Sequence, residues 1–244
     1  TSAPTSARIQ GLRLLLLAPI VYLMAKTVGS YDPFSVIAVA LMLLAWQSAS
    51  RILMILTGAL AGLQHFEQLF VAIGLIWIVW VFAPNGLPSK FRGSKNPGWL
   101  LTGVVTGKVF LTVFLGASGA SGSLGRFTWL SEMDLTRLSV TGSLNFFPTL
   151  LLSFFAGLWG IVALYAVSVW SRKSALALVG ILAVPTLLSI IAFDHTRVFV
   201  LVTLPLLVVA ISTTIEHCEK SGHKRTLAAA EVLAWVITPL LLFT

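Results

Sequence analysis

The sequence predicts an all-α membrane protein: one polytopic bundle over residues 1–244 with about eight or nine membrane segments. Three observations predict it. Of its 244 residues, 57% are hydrophobic and only 10% charged, where soluble domains carry roughly 25%, and the mean hydropathy is +0.97. The apolar residues come in runs close to the ~20 that cross a hydrocarbon core. The basic residues fall between these runs and collect on alternate sides.

Taken in order, residues 1–7 are small and polar and read as a mobile tail. The chain begins at Thr1 rather than Met, as expected of a processed or trimmed piece. Apolar runs then predict membrane segments near 11–28, 34–50, 52–64, 68–83, 98–118, 146–170, 174–193, 198–215 and 226–243. The block 52–83 is interrupted by Gln64-His65-Phe66-Glu67-Gln68. It is either one long tilted helix or a short pair meeting at a polar apex. Residues 120–145 form the longest outer loop; its stretch 124–138 mixes apolar and charged residues around Trp129, the pattern of an interfacial helix.

Charge selects the short pair. Arg8, Arg13, Arg51, Lys90, Arg92, Lys95, Arg172, Lys173, Lys220, Lys224 and Arg225 share one side only if 52–83 turns back on itself. Lys26, Arg126, Arg137 and Arg197 then lie on the other. Eleven against four places the larger set, and the N-terminus, in the cytoplasm. The expected location is a cytoplasmic (inner) membrane. Asp32, Glu67, Glu132, Asp134 and Asp194 all fall on the outer side, which points to an extracytoplasmic site; Glu216 and Glu219 stay inside beside basic residues.

Composition also excludes classes. The single cysteine, Cys218, rules out an intrachain disulfide and a cysteine metal site. The pI of about 10.2 reflects scattered loop cations rather than a basic stripe, so the expected partner is the lipid bilayer and not nucleic acid. No HxxxH or HExxH spacing occurs, and no metal or other cofactor is expected.

Candidate site residues gather in the outer loops. Asp194, His195 and Arg197 stand where two segments turn. An acid three residues from an arginine shares a helical face with it and can pair, or the carboxylate can serve as a base. The guanidinium fork suits phosphate, and His195 can bind phosphate or relay a proton. Arg126 is a second phosphate ligand in the outer loop. His65 and Glu67 cap the apex of 52–83. Asp32, in Asp32-Pro33, is a second candidate base or an ordinary turn residue. Lys108 interrupts the 98–118 run, where it snorkels, pairs with Glu231, or meets a substrate phosphate. The small-residue runs Gly58-Ala59-Leu60-Ala61-Gly62 and Gly103 to Gly107 permit close helix packing, including packing in a homo- or hetero-oligomer.

Two resemblances bear on function. Gly116-Ala117-Ser118-Gly119 resembles the GxSG nucleophile motif of rhomboid intramembrane proteases, in which the serine pairs with a histidine from another span; His195 would be that partner. In that family the serine opens a helix, whereas here Ser121-Gly122-Ser123 follows. The many segments, the charged outer loops and Asp194, Arg197 and Pro205, with Asp32 in the first outer loop, resemble bacterial polysaccharide polymerases, EpsG-like proteins and the C-type integral membrane glycosyltransferases. That resemblance implies extracytoplasmic transfer of sugar from a polyprenyl-phosphate-linked donor. Asp194 or Asp32 would activate the acceptor, and Arg197 and Arg126 would hold the phosphates. The alternatives are a transporter or lipid-handling protein, and a structural subunit of a membrane complex.

Overall fold

The computed structural model describes residues 5–26, 32–119, 152–169, 171–191 and 195–242. The chain folds into helices α1 (Thr5–Leu16), α2 (Pro19–Lys26), α3 (Asp32–Gln47), α4 (Arg51–Phe82), α5 (Ser89–Arg92), α6 (Gly98–Ala117), α7 (Trp159–Ser168), α8 (Arg172–Ile191), α9 (His195–Ser221) and α10 (Lys224–Leu242). No strand occurs among the described residues. The described elements are all helices, as the composition predicts, but the helices long and apolar enough to cross a bilayer are fewer than the expected eight or nine segments. By length and composition 3 helices are long and apolar enough to cross a bilayer: Gly98–Ala117, Arg197–Ser221 and, taken end to end despite its break at His65, Arg51–Phe82. Pro33–Gln47, Leu152–Ser168 and Leu178–Ser189 are apolar but shorter.

Local sequence explains two of the interruptions. The expected segment 11–28 splits at residues 17 and 18, because Pro19 supplies no N–H to continue α1 and instead starts α2 at its first position. In 146–170, Ala156 takes a left-handed φ of 48°, and a 3-10 turn, Ala156–Leu158, replaces α-helix ahead of α7. The neighbouring Gly157 docks on α10: its N–H donates to Thr238 Oγ1 at 3.1 Å, and a Cβ there would lie 2.6 Å from the Ala234 carbonyl oxygen.

Helix α9 is the centre of the bundle. Of its most apolar stretch 83% is buried, against 22% for α6, which lies at the periphery. Near the start of α9, Phe199 stacks on Phe154 with ring centroids 3.7 Å apart and meets Phe155 edge-on. Helix α6 instead turns Val109, Phe110, Val113 and Phe114 outward, an apolar face suited to lipid.

Helix α4 is broken at His65, whose φ of −138° and ψ of 67° leave the helical region. Ser50 caps its start by accepting from the Leu53 N–H. Gly58 packs against Leu100 and Gly103. Nineteen residues further on, Trp77 Nε1 donates to Asn96 Oδ1 at 3.1 Å. An unbroken helix would put Trp77 roughly 28 Å beyond Gly58. Instead both residues, and Arg51 stacked 5.3 Å over the Trp99 ring, sit near the start of α6. The chain therefore reverses at His65. Its first arm runs parallel to α6 and its second runs back.

The first arm is held to α6 by four glycines. Gly58 and Gly62 face Gly103, Val104 and Leu100, and Gly103 and Gly107 face Ile55, Gly58 and Ala59. A Cβ at any of the four would fall well inside van der Waals contact with a backbone oxygen of the facing helix. The two Gly-x-x-x-Gly pairs thus serve a crossing within the chain, where close backbones gain dispersion and Cα–H···O contacts.

All the basic loops meet at one end. Trp46 Nε1, at the end of α3, donates to the Lys95 carbonyl at 2.9 Å. The Ser89 N–H donates to Glu216 Oε2 at 2.8 Å, and Lys220 Nζ binds Glu216 Oε1 at 2.6 Å. Tyr165 Oη and Thr213 Oγ1 both donate to the Gly86 carbonyl, at 3.1 and 2.8 Å. Gly11 of α1 packs toward Ile215. The helix ends carrying Arg51, Lys90, Arg92, Lys95, Lys220, Lys224 and Arg225 are thereby gathered into one layer, and α8 begins beside them at Arg172.

This arrangement makes a direct prediction. Cys218 is buried, so in a Cys218→Ser background Ser48→Cys, Ser94→Cys and Ser221→Cys report separately. A membrane-impermeant maleimide should label all three from the same side of sealed vesicles. Labelling of Ser48→Cys and Ser94→Cys from opposite sides would overturn the reversal of α4.

Candidate functional site

The reversal of α4 places a polar run beside a cation. Lys108 follows Gly98 by ten residues, roughly 15 Å along a helix of 20 residues, so it stands half-way along α6. Its Nζ lies 5.7 Å from the centroid of the Phe66 ring, within cation–π range. Phe66 in turn stacks on Phe70 one turn later, with centroids 5.5 Å apart. Around Phe66, Gln64 and Glu67 are exposed, and His65, Gln68 and Lys108 are half-buried. The Gln68 side-chain oxygen is buried with no hydrogen-bond partner among the described residues. Neither His65 nor Glu67 is without a partner.

The geometry revises one expectation from sequence. Glu231 is engaged by α1, not by Lys108: Gln10 Nε2 donates to it at 2.8 Å and Arg13 lies 4.0 Å away. Its position one to two turns into α10 puts it near the basic end, far from the middle of α6. Lys108 belongs instead to the apex of α4.

Of the other candidates, Asp32, His195 and Arg197 lie at the end of the bundle opposite the basic loops. Asp32 opens α3, fourteen residues or roughly 21 Å of helix from Trp46. His195 opens α9, and Arg197, half-buried in its first turn, is nineteen residues or roughly 28 Å of helix before Glu216. Arg197, too, has an interaction partner. Asp194 and Arg126, like the expected interfacial helix in 124–138, lie outside the described residues, as do the side chains of Asp32 and His195.

Ser118 caps the end of α6, where its hydroxyl donates to the Phe114 and Leu115 carbonyls at 2.9 and 3.0 Å, and Gly119 turns the chain away with a φ of 73°. It closes a helix rather than opening one, the reverse of a rhomboid nucleophile's setting. Among the described residues no three His, Cys, Asp or Glu side chains come together as metal ligands.

What this arrangement can do chemically follows from where it sits. A lysine and a carboxamide held between hydrocarbon-facing helices are costly unless they meet a polar partner. The apex supplies hydrogen-bond donors, an acceptor and a positive charge half-way along apolar helices. That combination suits an anionic or amphipathic ligand. The chain matches no protein-family model, no curated protein and no solved structure.

Proposed function

We propose that this protein acts in the assembly of a cell-surface polysaccharide or glycolipid, transferring sugar from a polyprenyl-phosphate-linked donor at the outer face of a cytoplasmic membrane. The observation that carries the reading is the reversal at His65, which sets Gln64-His65-Phe66-Glu67-Gln68 beside Lys108 half-way along α6. In this reading the basic end and the N-terminus are cytoplasmic, in keeping with the excess of Lys and Arg there. The arms of α4, roughly 21 and 26 Å long, fall short of the ~30 Å core and make a re-entrant pair entered from the cytoplasmic side. Asp32, Asp194, His195 and Arg197 then stand at the outer surface.

The chemistry needs a base and a cation near the headgroup plane. Asp194, or Asp32, takes the proton of an acceptor hydroxyl as its oxygen attacks the anomeric carbon. The bond from that carbon to the diphosphate oxygen breaks, and Arg197 with Arg126 stabilises the departing lipid diphosphate. His65, Glu67 and Lys108 contact the lipid-linked donor as it approaches along α6. A second reading is transport of an amphipathic solute, favoured by the broken helix itself, since discontinuous helices with polar breaks at depth form substrate sites in transporters.

Native mass spectrometry of the gently purified protein tests the first reading. A polyprenyl phosphate or lipid-linked sugar should be retained, and should be lost in Arg197→Ala; Asp194→Asn should keep the lipid and abolish glycan elongation. Normal elongation by Asp194→Asn would exclude it as the base. Retention of bulk phospholipid alone, unchanged in Arg197→Ala, would move the assignment to transport.

A further inference from the structure

A cavity of about 340 Å³ opens at the basic end of the bundle, away from the apex of α4, and is lined by Trp77, Asn96, Gly98, Trp99, Leu101 and Thr102. It lies between the second arm of α4 and the first turns of α6, where the protein passes from its apolar belt to its basic loops. Asn96 organises it: its Oδ1 accepts from Trp77 Nε1 at 3.1 Å and from the Gly98 N–H at 2.8 Å. Those bonds fix the Trp77 indole and the start of α6 on two sides of the opening. On the Trp99 side Arg51 places its guanidinium 5.3 Å over the ring. Arg51 is exposed, and Trp77 is 40% exposed.

The composition of this cleft specifies its ligand. Tryptophan is the residue that seats itself at headgroup level, with an apolar ring toward acyl chains and an N–H toward water. Two of them flank one opening here. Arg51 adds a planar fork that matches a phosphodiester in two hydrogen bonds. Arg51 does not itself line the cavity; its stacking on Trp99, which does, holds that fork beside the opening. Lys95, exposed and preceding Asn96 in the chain, adds positive charge to the same loop. Below the rim, Leu101 continues toward the exposed apolar residues of α6, where an acyl chain can follow. Polar rim, cationic fork and apolar floor together fit a phospholipid headgroup with its chain attached, better than a free anion, which has no use for the floor.

We propose that the Arg51–Trp77–Trp99 cleft is a specific site for one anionic phospholipid of the leaflet facing the basic end. It needs only that the chain sits in a membrane, and it is independent of the glycosyl-transfer reading. A lipid there clamps the two arms of α4 to α6 at the open end of the reversal.

The full chain is purified in a neutral detergent and titrated with phosphatidylglycerol or phosphatidylcholine, with bound lipid counted by native mass spectrometry. One phosphatidylglycerol per chain should bind at least tenfold more tightly than phosphatidylcholine. Arg51→Gln should remove that preference, and Arg51→Lys, which keeps the charge without the fork, should retain part of it. The comparison of the two lipids on the unaltered protein tests the site even if a variant fails to fold. Equal binding of the two lipids, or an unchanged preference in Arg51→Gln, overturns the proposal. Complete displacement of phosphatidylglycerol by millimolar inorganic phosphate overturns it as well, since the cleft would then be a free-anion site. Stoichiometric retention of undecaprenyl phosphate in place of phosphatidylglycerol would reassign the cleft to the lipid-linked substrate.

Discussion

Gly107→Ala or Gly62→Ala is expected to lower the thermal stability of the purified protein by about 5–10 °C, and Gly107→Leu to prevent recovery of folded protein. The reason is the kind of atom each new methyl would meet. At Gly107 a Cβ would fall inside contact distance of the Ala59 carbonyl, and at Gly62 inside that of the Val104 carbonyl. These are backbone oxygens already committed to helical hydrogen bonds, so no rotamer change relieves the clash. The crossing must open, and every dispersion contact along the first arm of α4 and α6 weakens together. Overpacking of a fixed core costs about 1–3 kcal/mol. The upper part of that range corresponds to roughly 2–4 °C for each kcal/mol in a chain of this size. The matched controls are Gly74→Ala and Gly116→Ala. A Cβ at either meets nothing within 4 Å, and alanine is the better helix former by about 1 kcal/mol, so both should be neutral or stabilising. Size-exclusion profiles after graded heating separate the two classes. A Gly107→Ala protein as stable as Gly74→Ala would show that α6 does not cross the first arm at these glycines.

The legibility of this fold in its sequence follows the same division between local and non-local effects. The all-α membrane class was plain from composition, because hydrocarbon admits few other solutions for the backbone. The boundaries of α6 and α10 agree with the apolar runs 98–118 and 226–243 to within two residues, since nothing inside those runs breaks a helix. The reversal of α4 was readable only through charge: the polar run marked where it could occur, and the gathering of basic loops required it. Segment 11–28 is divided between α1 and α2 because of the missing N–H of Pro19, which hydropathy does not register. The turn at Ala156 had no local signal at all, being set by the docking of Gly157 against Ala234 and Thr238. Of the candidate site, His65 and Glu67 stood out as polar residues in an apolar block. Their neighbour Lys108 was conspicuous, but its partner was not, because which residue faces it depends on a fold-back no periodicity encodes. Gln68 was missed in the same run, and its buried oxygen is visible only once the second arm is packed.

If the protein acts as proposed, Lys108→Met reduces handling of a lipid-linked donor at least tenfold while leaving the protein as stable as the parent or more so, and Glu67→Gln acts in the same direction. An ammonium half-way along a peripheral helix costs roughly 2.5–3.5 kcal/mol on insertion scales. The contact with the Phe66 ring returns roughly 1–2 kcal/mol of that for a half-buried pair. Methionine keeps the length and the apolar stem of the side chain over Phe66, and it removes the charge. If Lys108 served only the fold, its replacement would lose the cation–π contact and relieve the desolvation, and the net change in stability would be small with activity intact. If Lys108 is retained for a ligand, stability and activity move in opposite directions, the signature of a residue kept at a cost to the fold. The two readouts are the heating profile and the yield of glycan product, or of transported solute, from reconstituted vesicles. A Lys108→Met protein that is destabilised and fully active would make the Lys108–Phe66 contact a structural element and strip the apex of its role. One that is stable and inactive, beside an Arg197→Ala protein that has lost its lipid, would place ligand contacts at both the apex of α4 and the outer end of α9. The ligand would then have to extend from mid-membrane to the far surface, as a polyprenyl-linked sugar does and a small solute does not.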